Sequence, residues 1–306
     1  MKSKLKICLL FCLSFLGCFS QMNRESSLIK NNLKGKIQSI KNSTYKAEEN
    51  NGVIIKGTKT ERLFDTQYSN YDIYYNTFGN ITHRNNYDEG GTMYSNDCFF
   101  YDQDNRKIEQ YKVDTKKNKT FQTKILYLEN TIEINSYELP PELKSFEKEY
   151  YNNSGKITER KEFDSNGLLQ KITVFEYDKN NNLVKMSFKS ESGLVEKFVD
   201  YNYDINGVIM AEKRFENELI ITDKVTQYDN KKEIIEKTNF VANTRTKYTR
   251  NRIGDIILEQ FYKPINYLKT TTKYDIKYDD YGNWITRITT INNIPSYIQE
   301  RVIIYY

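Results

Sequence analysis

Short apolar–polar runs separated by small polar clusters fill most of the chain, and their period is close to two. Lys273-Tyr274-Asp275-Ile276-Lys277-Tyr278 alternates cleanly, as do Val184, Met186 and Phe188, and Val199, Tyr201 and Tyr203. Alternation at period two predicts half-buried β-strands. The run after Phe163 has apolar residues on both faces, which predicts a strand covered on both sides, whereas the residues around Arg160 are nearly all polar. One helix is predicted, a short one over Ser26–Leu33 with a serine cap.

The clusters between the runs repeat. An aromatic residue, usually followed by Asp or Asn, has Gly or Asn four positions on and an apolar residue six positions on. The pattern occurs at Tyr75–Ile81, Tyr151–Ile157, Phe163–Leu169, Tyr177–Leu183, Tyr203–Ile209 and Tyr278–Trp284, and without its glycine at Tyr228–Ile234. Tyr75 to Tyr101, Tyr151 to Tyr177 and Tyr177 to Tyr203 are each 26 residues, and Tyr203 to Tyr228 is 25. Tyr101 to Tyr151 and Tyr228 to Tyr278 are each 50, two periods with a degenerate copy between. A half-period shows at Tyr87, Phe163, Phe215 and Phe240, so one strand and one turn make the unit.

Each position has a physical reason. Asp or Asn after the aromatic bonds its own backbone and starts a turn. Gly79, Gly155, Gly167, Gly207 and Gly282 supply the positive φ that a tight reversal needs. The aromatic closes one strand and the apolar residue opens the next, which predicts cross-strand pairs Tyr177 with Leu183, Tyr203 with Ile209 and Tyr278 with Trp284. The expected fold is therefore all-β, tandem antiparallel hairpin repeats forming a twisted, curled meander sheet with two ends to protect. The array spans 63–306, with a loop expected at the proline pair Pro140-Pro141 near 138–144, and residues 21–62 are assigned no regular structure beyond the short helix.

Tyr278-Asp279-Asp280-Tyr281-Gly282-Asn283-Trp284, with Arg287 and the terminal Glu300–Tyr306, resembles the last units of small exported Rhs/YD-repeat proteins of Bacteroidetes. The resemblance runs from about Tyr71 onward and is best over Tyr151–Tyr228 and the last thirty residues. In large relatives such repeats form a spiral β shell around a toxin. The array here is expected to be too short for that role.

The first 20 residues differ from the rest. Lys2, Lys4 and Lys6 precede the apolar run Ile7–Leu16, which is too short to span a bilayer and reads as a secretory signal. Ser20 before Gln21 suits ordinary cleavage, and Phe15-Leu16-Gly17-Cys18 suits lipidation at Cys18. The expected location is periplasmic or extracellular, with an outer-membrane lipoprotein as the alternative and no transmembrane span after removal of the signal. The mature part retains one cysteine, Cys98, and so cannot form an internal disulfide. Net charge is +5, or +2 without the three leader lysines, too small to argue for nucleic acid. Tyrosine is abundant at 26 residues in an otherwise polar chain of mean hydropathy −0.76, which favours a folded β protein over disorder.

No catalytic constellation emerges. His83 is the only histidine and reads as a solvated strand residue, and Cys98 reads as an inert thiol. Asp178–Asn182 lacks the glycine and terminal acid of a calcium loop. Glu147 with Glu149, and Asp279 with Asp280, are the paired carboxylates, read as charges on solvated strands. No cofactor or metal is expected. The candidate binding stripe is the aromatic ladder of Tyr177, Tyr203, Tyr228, Tyr278 and Trp284, suited to a glycan or a surface protein if exposed. A non-catalytic binding module at the envelope or outside the cell is the leading expectation, followed by a structural or assembly part, with a hydrolase third.

Overall fold

A computed structural model describes residues 26–60, 70–114, 116, 118–138 and 142–306. The signal assigned to residues 1–20, with both cleavage readings, lies outside the described residues, as do Leu139, Pro140 and Pro141. The described chain is one short helix, α1 (Ser27–Lys30), and 21 strands from β1 (Ile37–Asn50) to β21 (Ile294–Tyr305). Ser26 caps α1, its hydroxyl accepting from the Ile29 N–H.

From β3 (Asn70–Tyr75) onward every strand pairs antiparallel with the next in sequence through to β21. The pairing does not stop at residues 139–141: β8 (Thr131–Glu138) runs directly into register with β9 (Glu142–Tyr151), Glu138 opposite Glu142. The repeat turns have a common construction. In the loop after Tyr177, the Asp178 carboxylate accepts the N–H groups of Asn180 and Asn182, both at 2.8 Å, while the Asp178 N–H donates to the Asn182 carbonyl at 2.9 Å. Asn152, Asp204, Asp229 and Asp279 do the same in their own loops. The fourth loop position has positive φ, +75° at Gly207 and +80° at Gly282, with Asn181 at +63° and Lys232 at +64° where glycine is missing. Tyr177 faces Leu183, Tyr203 faces Ile209 and Tyr278 faces Trp284, each after a one-residue bulge.

The twisted, curled meander with two free ends is not what forms. The strands close into an antiparallel barrel of 20 strands. Closure is made by β1, inside the segment to which the sequence assigned no strand. On one side β1 pairs with β21, Ile40 opposite Ile303, and on the other with β3, Ile40 opposite Ile73. The remaining strand, β2 (Val53–Lys59), extends β1 as a hairpin beyond the ring. Closure removes the unpaired backbone edges that an open sheet would present. The repeat period specifies that each strand pairs with its neighbour; it carries no information about a pairing between residues as distant as Ile40 and Ile303.

Part of the barrel wall carries charges on both faces. In β10 (Ile157–Asp164) the consecutive residues Glu159, Arg160, Lys161 and Glu162 put two charges on each face, and ion pairs hold them: Arg160–Glu149, Lys161–Glu159 and Lys171–Glu162. Apolar burial is concentrated at the closure, where Leu28, Ile37, Ile40, Ile73 and Tyr75 pack together, with Leu33, Tyr71, Ile81, Ile303 and Tyr305 around them.

Candidate binding site at the barrel seam

The seam is where the first and last repeats meet, and residues 26–36 fasten it. At one end the Leu28 N–H donates to the Gly79 carbonyl at 3.0 Å and the Ser27 N–H to Asn80 Oδ1 at 3.1 Å, both in the first turn. At the other end the Lys34 N–H donates to Asn283 Oδ1, and Asn283 Nδ2 returns a bond to the Lys34 carbonyl, both at 2.8 Å, in the last turn. Tyr305 stacks on Tyr281 with ring centres 4.2 Å apart, and the Tyr306 N–H donates to the Lys36 carbonyl. The segment thus straps the two ends of the array together along one rim.

Beneath this strap lies a cavity of about 340 Å³. Its apolar wall is Leu33, Ile40, Ile73 and Ile81, and its polar wall carries Tyr71, Arg84, Trp284 and Arg301. Arg84 and Arg301 converge on Tyr71. The Arg84 guanidinium lies 4.9 Å from the Tyr71 ring centre, and Arg301 Nη2 donates to the Tyr71 hydroxyl at 3.2 Å. Arg301 also lies over Trp284, 3.5 Å from the ring centre, with Arg287 at 5.0 Å. Arg301 Nε is buried and has no hydrogen-bond partner among the described residues. Among the described residues neither Arg84 nor Arg301 makes an ion pair. Asp255 is the one carboxylate on the cavity wall among the described residues, and its Oδ2 accepts from the Tyr278 hydroxyl at 2.8 Å.

The tyrosines of the ladder are half-buried along the same rim, and their hydroxyls bond the preceding turn. Tyr177 donates to the Ile157 carbonyl at 2.8 Å and Tyr203 to the Leu183 carbonyl at 2.7 Å; Tyr101 and Tyr127 repeat the contact. Burial pushes the phenols of Tyr177, Tyr203 and Tyr228 up, and burial followed by the Asp255 contact pushes that of Tyr278 up to about 12. Of the stripe read from sequence, Trp284 alone lines the cavity. Tyr71, Arg84 and Arg301 escaped that reading because strands far apart in sequence bring them together. One signal was available: Arg301 is a charged residue opening the otherwise apolar run Val302–Tyr306.

The other candidate groups are placed as follows. His83 is exposed and stands opposite Cys98 in register, but Cys98 is buried, its thiol contacts Asn96 Oδ1 and burial raises its pKa, the reverse of an activated thiolate. Glu147 and Glu149 share Arg160, at 3.6 and 2.5 Å. Asp178 spends its carboxylate on backbone N–H groups of its own turn. Among the described residues no group of three or more His, Cys, Asp or Glu side chains could hold a metal ion, and no helix is long and apolar enough to cross a membrane.

The opposite rim differs in character. Its turns are more varied, five-residue loops such as Asp164–Leu168 mixed with two-residue reversals at Asn217-Glu218 and Asn292-Asn293, all four of these at positive φ. At successive turns it exposes Leu168, Leu194, Leu219, Phe240, Tyr267 and Ile294.

No family model and no curated protein matches the chain. Among solved structures it is similar to a porin-like protein from Bacteroides uniformis, at 11% identity over 89% of this chain and 98% of that one, with a TM-score of 0.39. It is also similar to the Photorhabdus luminescens Tc holotoxin pore, at 11% identity over 76% of this chain and 17% of that one, with a TM-score of 0.31. Both are β-rich, and at this level of superposition neither hands its role to this chain.

Proposed function

We propose that the protein is an exported, non-catalytic binding barrel that takes a small ligand in the cavity under its N-terminal strap. The observation that carries this reading is the cavity itself. At about 340 Å³ it falls in the range of small-molecule sites, which join an apolar wall to a few convergent polar groups. The leader-like first 20 residues support export, and the 26-residue tyrosine-turn period supports a resemblance to exported YD-repeat proteins. Charges on both faces of the wall favour an aqueous setting over a lipid-facing band, which in a transmembrane barrel is apolar and rimmed by aromatics.

A thermal-shift panel of small carboxylates, phosphates and sugars tests the reading on the folded protein. A ligand at a hundred times its Kd stabilises by about 2.7 kcal/mol, a clear rise in Tm. A flat panel from a protein with intact β-sheet signal would count against a binding role.

A second reading, a structural or assembly part of the envelope, is favoured by the row of exposed apolar side chains on the far rim, Leu168 through Ile294. It requires self-association or a partner, and a monodisperse monomer over a wide concentration range would argue against the former.

A further inference from the structure

We infer that the seam cavity is an oxyanion site: it takes a small organic acid, its carboxylate or phosphate held between Arg84 and Arg301 and its compact apolar body against Leu33, Ile40, Ile73 and Ile81. The inference rests on the binding role proposed above and gives it a chemical class.

The argument begins with two guanidinium groups drawn to one tyrosine. Arg84 bonds Asn86 Oδ1 through Nε at 3.0 Å, and Arg301 bonds the Tyr71 hydroxyl through Nη2. Neutral partners satisfy only part of each fork, and an arginine presents five N–H donors in a fixed plane. Elsewhere in the barrel Arg160 sits against Glu149 and Arg106 against Asp102, whereas Arg245, like Arg301, lies over an aromatic ring with a buried Nε that has no partner among the described residues. At the seam two arginines share a cavity with each other, and neither has a carboxylate partner among the described residues. Two half-buried cations lining one cavity repel each other unless an anion joins them, and a planar oxyanion matches the guanidinium fork in both charge and geometry.

The remaining walls fix the rest of the ligand. Trp284 and Tyr71 hold the two guanidinium planes by stacking, so the arginines are positioned before anything binds. Lys34, on the strap, adds a third positive charge to the lining. The single carboxylate there, Asp255, is engaged by Tyr278. Beside the arginines, with Ile40 paired to Ile73 and Ile73 to Arg84 across the strands, the lining carries aliphatic side chains with no polar atoms to satisfy, and these receive the apolar part of the ligand.

Trp284 is the only tryptophan in the chain, so its emission reports on this cavity alone. The experiment titrates the full chain with benzoate, with its neutral counterpart benzamide and with inorganic phosphate, exciting tryptophan selectively. Benzoate should shift Trp284 emission saturably, more weakly at high salt, and benzamide should not. Inorganic phosphate that displaces benzoate marks the oxyanion alone as sufficient, and phosphate without effect marks an organic acid as required; both outcomes support the site. Arg301→Gln and Arg84→Gln should each weaken benzoate by about 10- to 100-fold, the cost of one charged hydrogen-bonded contact. Circular dichroism checks their folding, and if a variant does not fold, the wild-type contrast between benzoate and benzamide decides. Benzamide binding as tightly as benzoate would overturn the oxyanion assignment and leave a binding role standing. No response of Trp284 to any probe would overturn the site, while a Tm rise from a sugar in the panel above would still keep the broader reading alive.

Discussion

The seam and the wall of this barrel are both built from antiparallel strands and are held by different physics. In the wall, from β9 to the strands around Phe240, hairpins close through local contacts: Asx-type turns, tyrosines bonded to the preceding turn, stacked pairs such as Phe198 with Phe215 at 4.3 Å, and ion pairs. No compact apolar core covers it. At the seam, by contrast, α1, β1, β3 and β21 bury Leu28, Ile37, Ile40 and Ile73 together and enclose a cavity. The difference teaches that the repeat makes a self-sufficient ribbon, and that a non-repetitive segment supplies what turns the ribbon into a ring with a site.

The comparison can be broken most forcefully with one substitution in both regions. Ile40→Ala, at a fully buried seam position, is expected to cost about 3–4 kcal/mol, and Ile172→Ala, half-buried in the wall, about 1 kcal/mol. Urea denaturation measures both; equal costs would mean the seam is no special core. Glycine turns give the next contrast. Gly167→Ala meets open space and pays only for left-handed backbone at φ +82°, about 1–2 kcal/mol. Gly79→Ala pays the same and also brings a methyl to 3.0 Å from Leu28 and 3.1 Å from Ser26, for about 2–3 kcal/mol and a loosened strap.

Smaller effects sharpen the picture of the wall. Tyr203→Phe removes one hydroxyl bond to the Leu183 carbonyl and should cost about 1 kcal/mol, without changing the response of Trp284 to ligands. The turn carboxylates set the smallest effect, a pH dependence. Backbone N–H donors, first that of Asn182, hold Asp178 below its ordinary 3.8, and Asp204 is lowered likewise by Val208. Because the folded pKa is the lower one, the stabilisation is whole above 3.8 and drains away as pH falls through the depressed value. Asp178→Asn, the residue type already used at Asn152, should flatten that acid limb while keeping the turn, as followed by Tm against pH.

The wall was largely legible in the sequence and the seam was not. Turn position, strand register and the tyrosine–apolar pairs follow from residues within about a dozen positions of one another, so a period read along the chain locates them. Closure depends on β1, whose stretch Ile37–Asn50 shows no repeat and which pairs with Tyr305 at the far end of the chain. The cavity inherits the same difficulty: Tyr71, Arg84 and Arg301 acquire meaning only once first and last strands are adjacent. Trp284 was singled out as a member of an aromatic ladder, whereas its distinguishing feature is the arginine lying on it.

Ring closure is the claim on which seam, strap and cavity all depend, and hydrogen exchange of backbone amides tests it most directly. With β1 bonded on both sides, the amides of Ile40–Asn42 and their partners in Tyr71–Ile73 and Arg301–Ile303 should exchange as slowly as those in the middle of the wall. Exchange in these three stretches at the rate of the exposed turns, with the wall still protected, would mean an open sheet with two free edges.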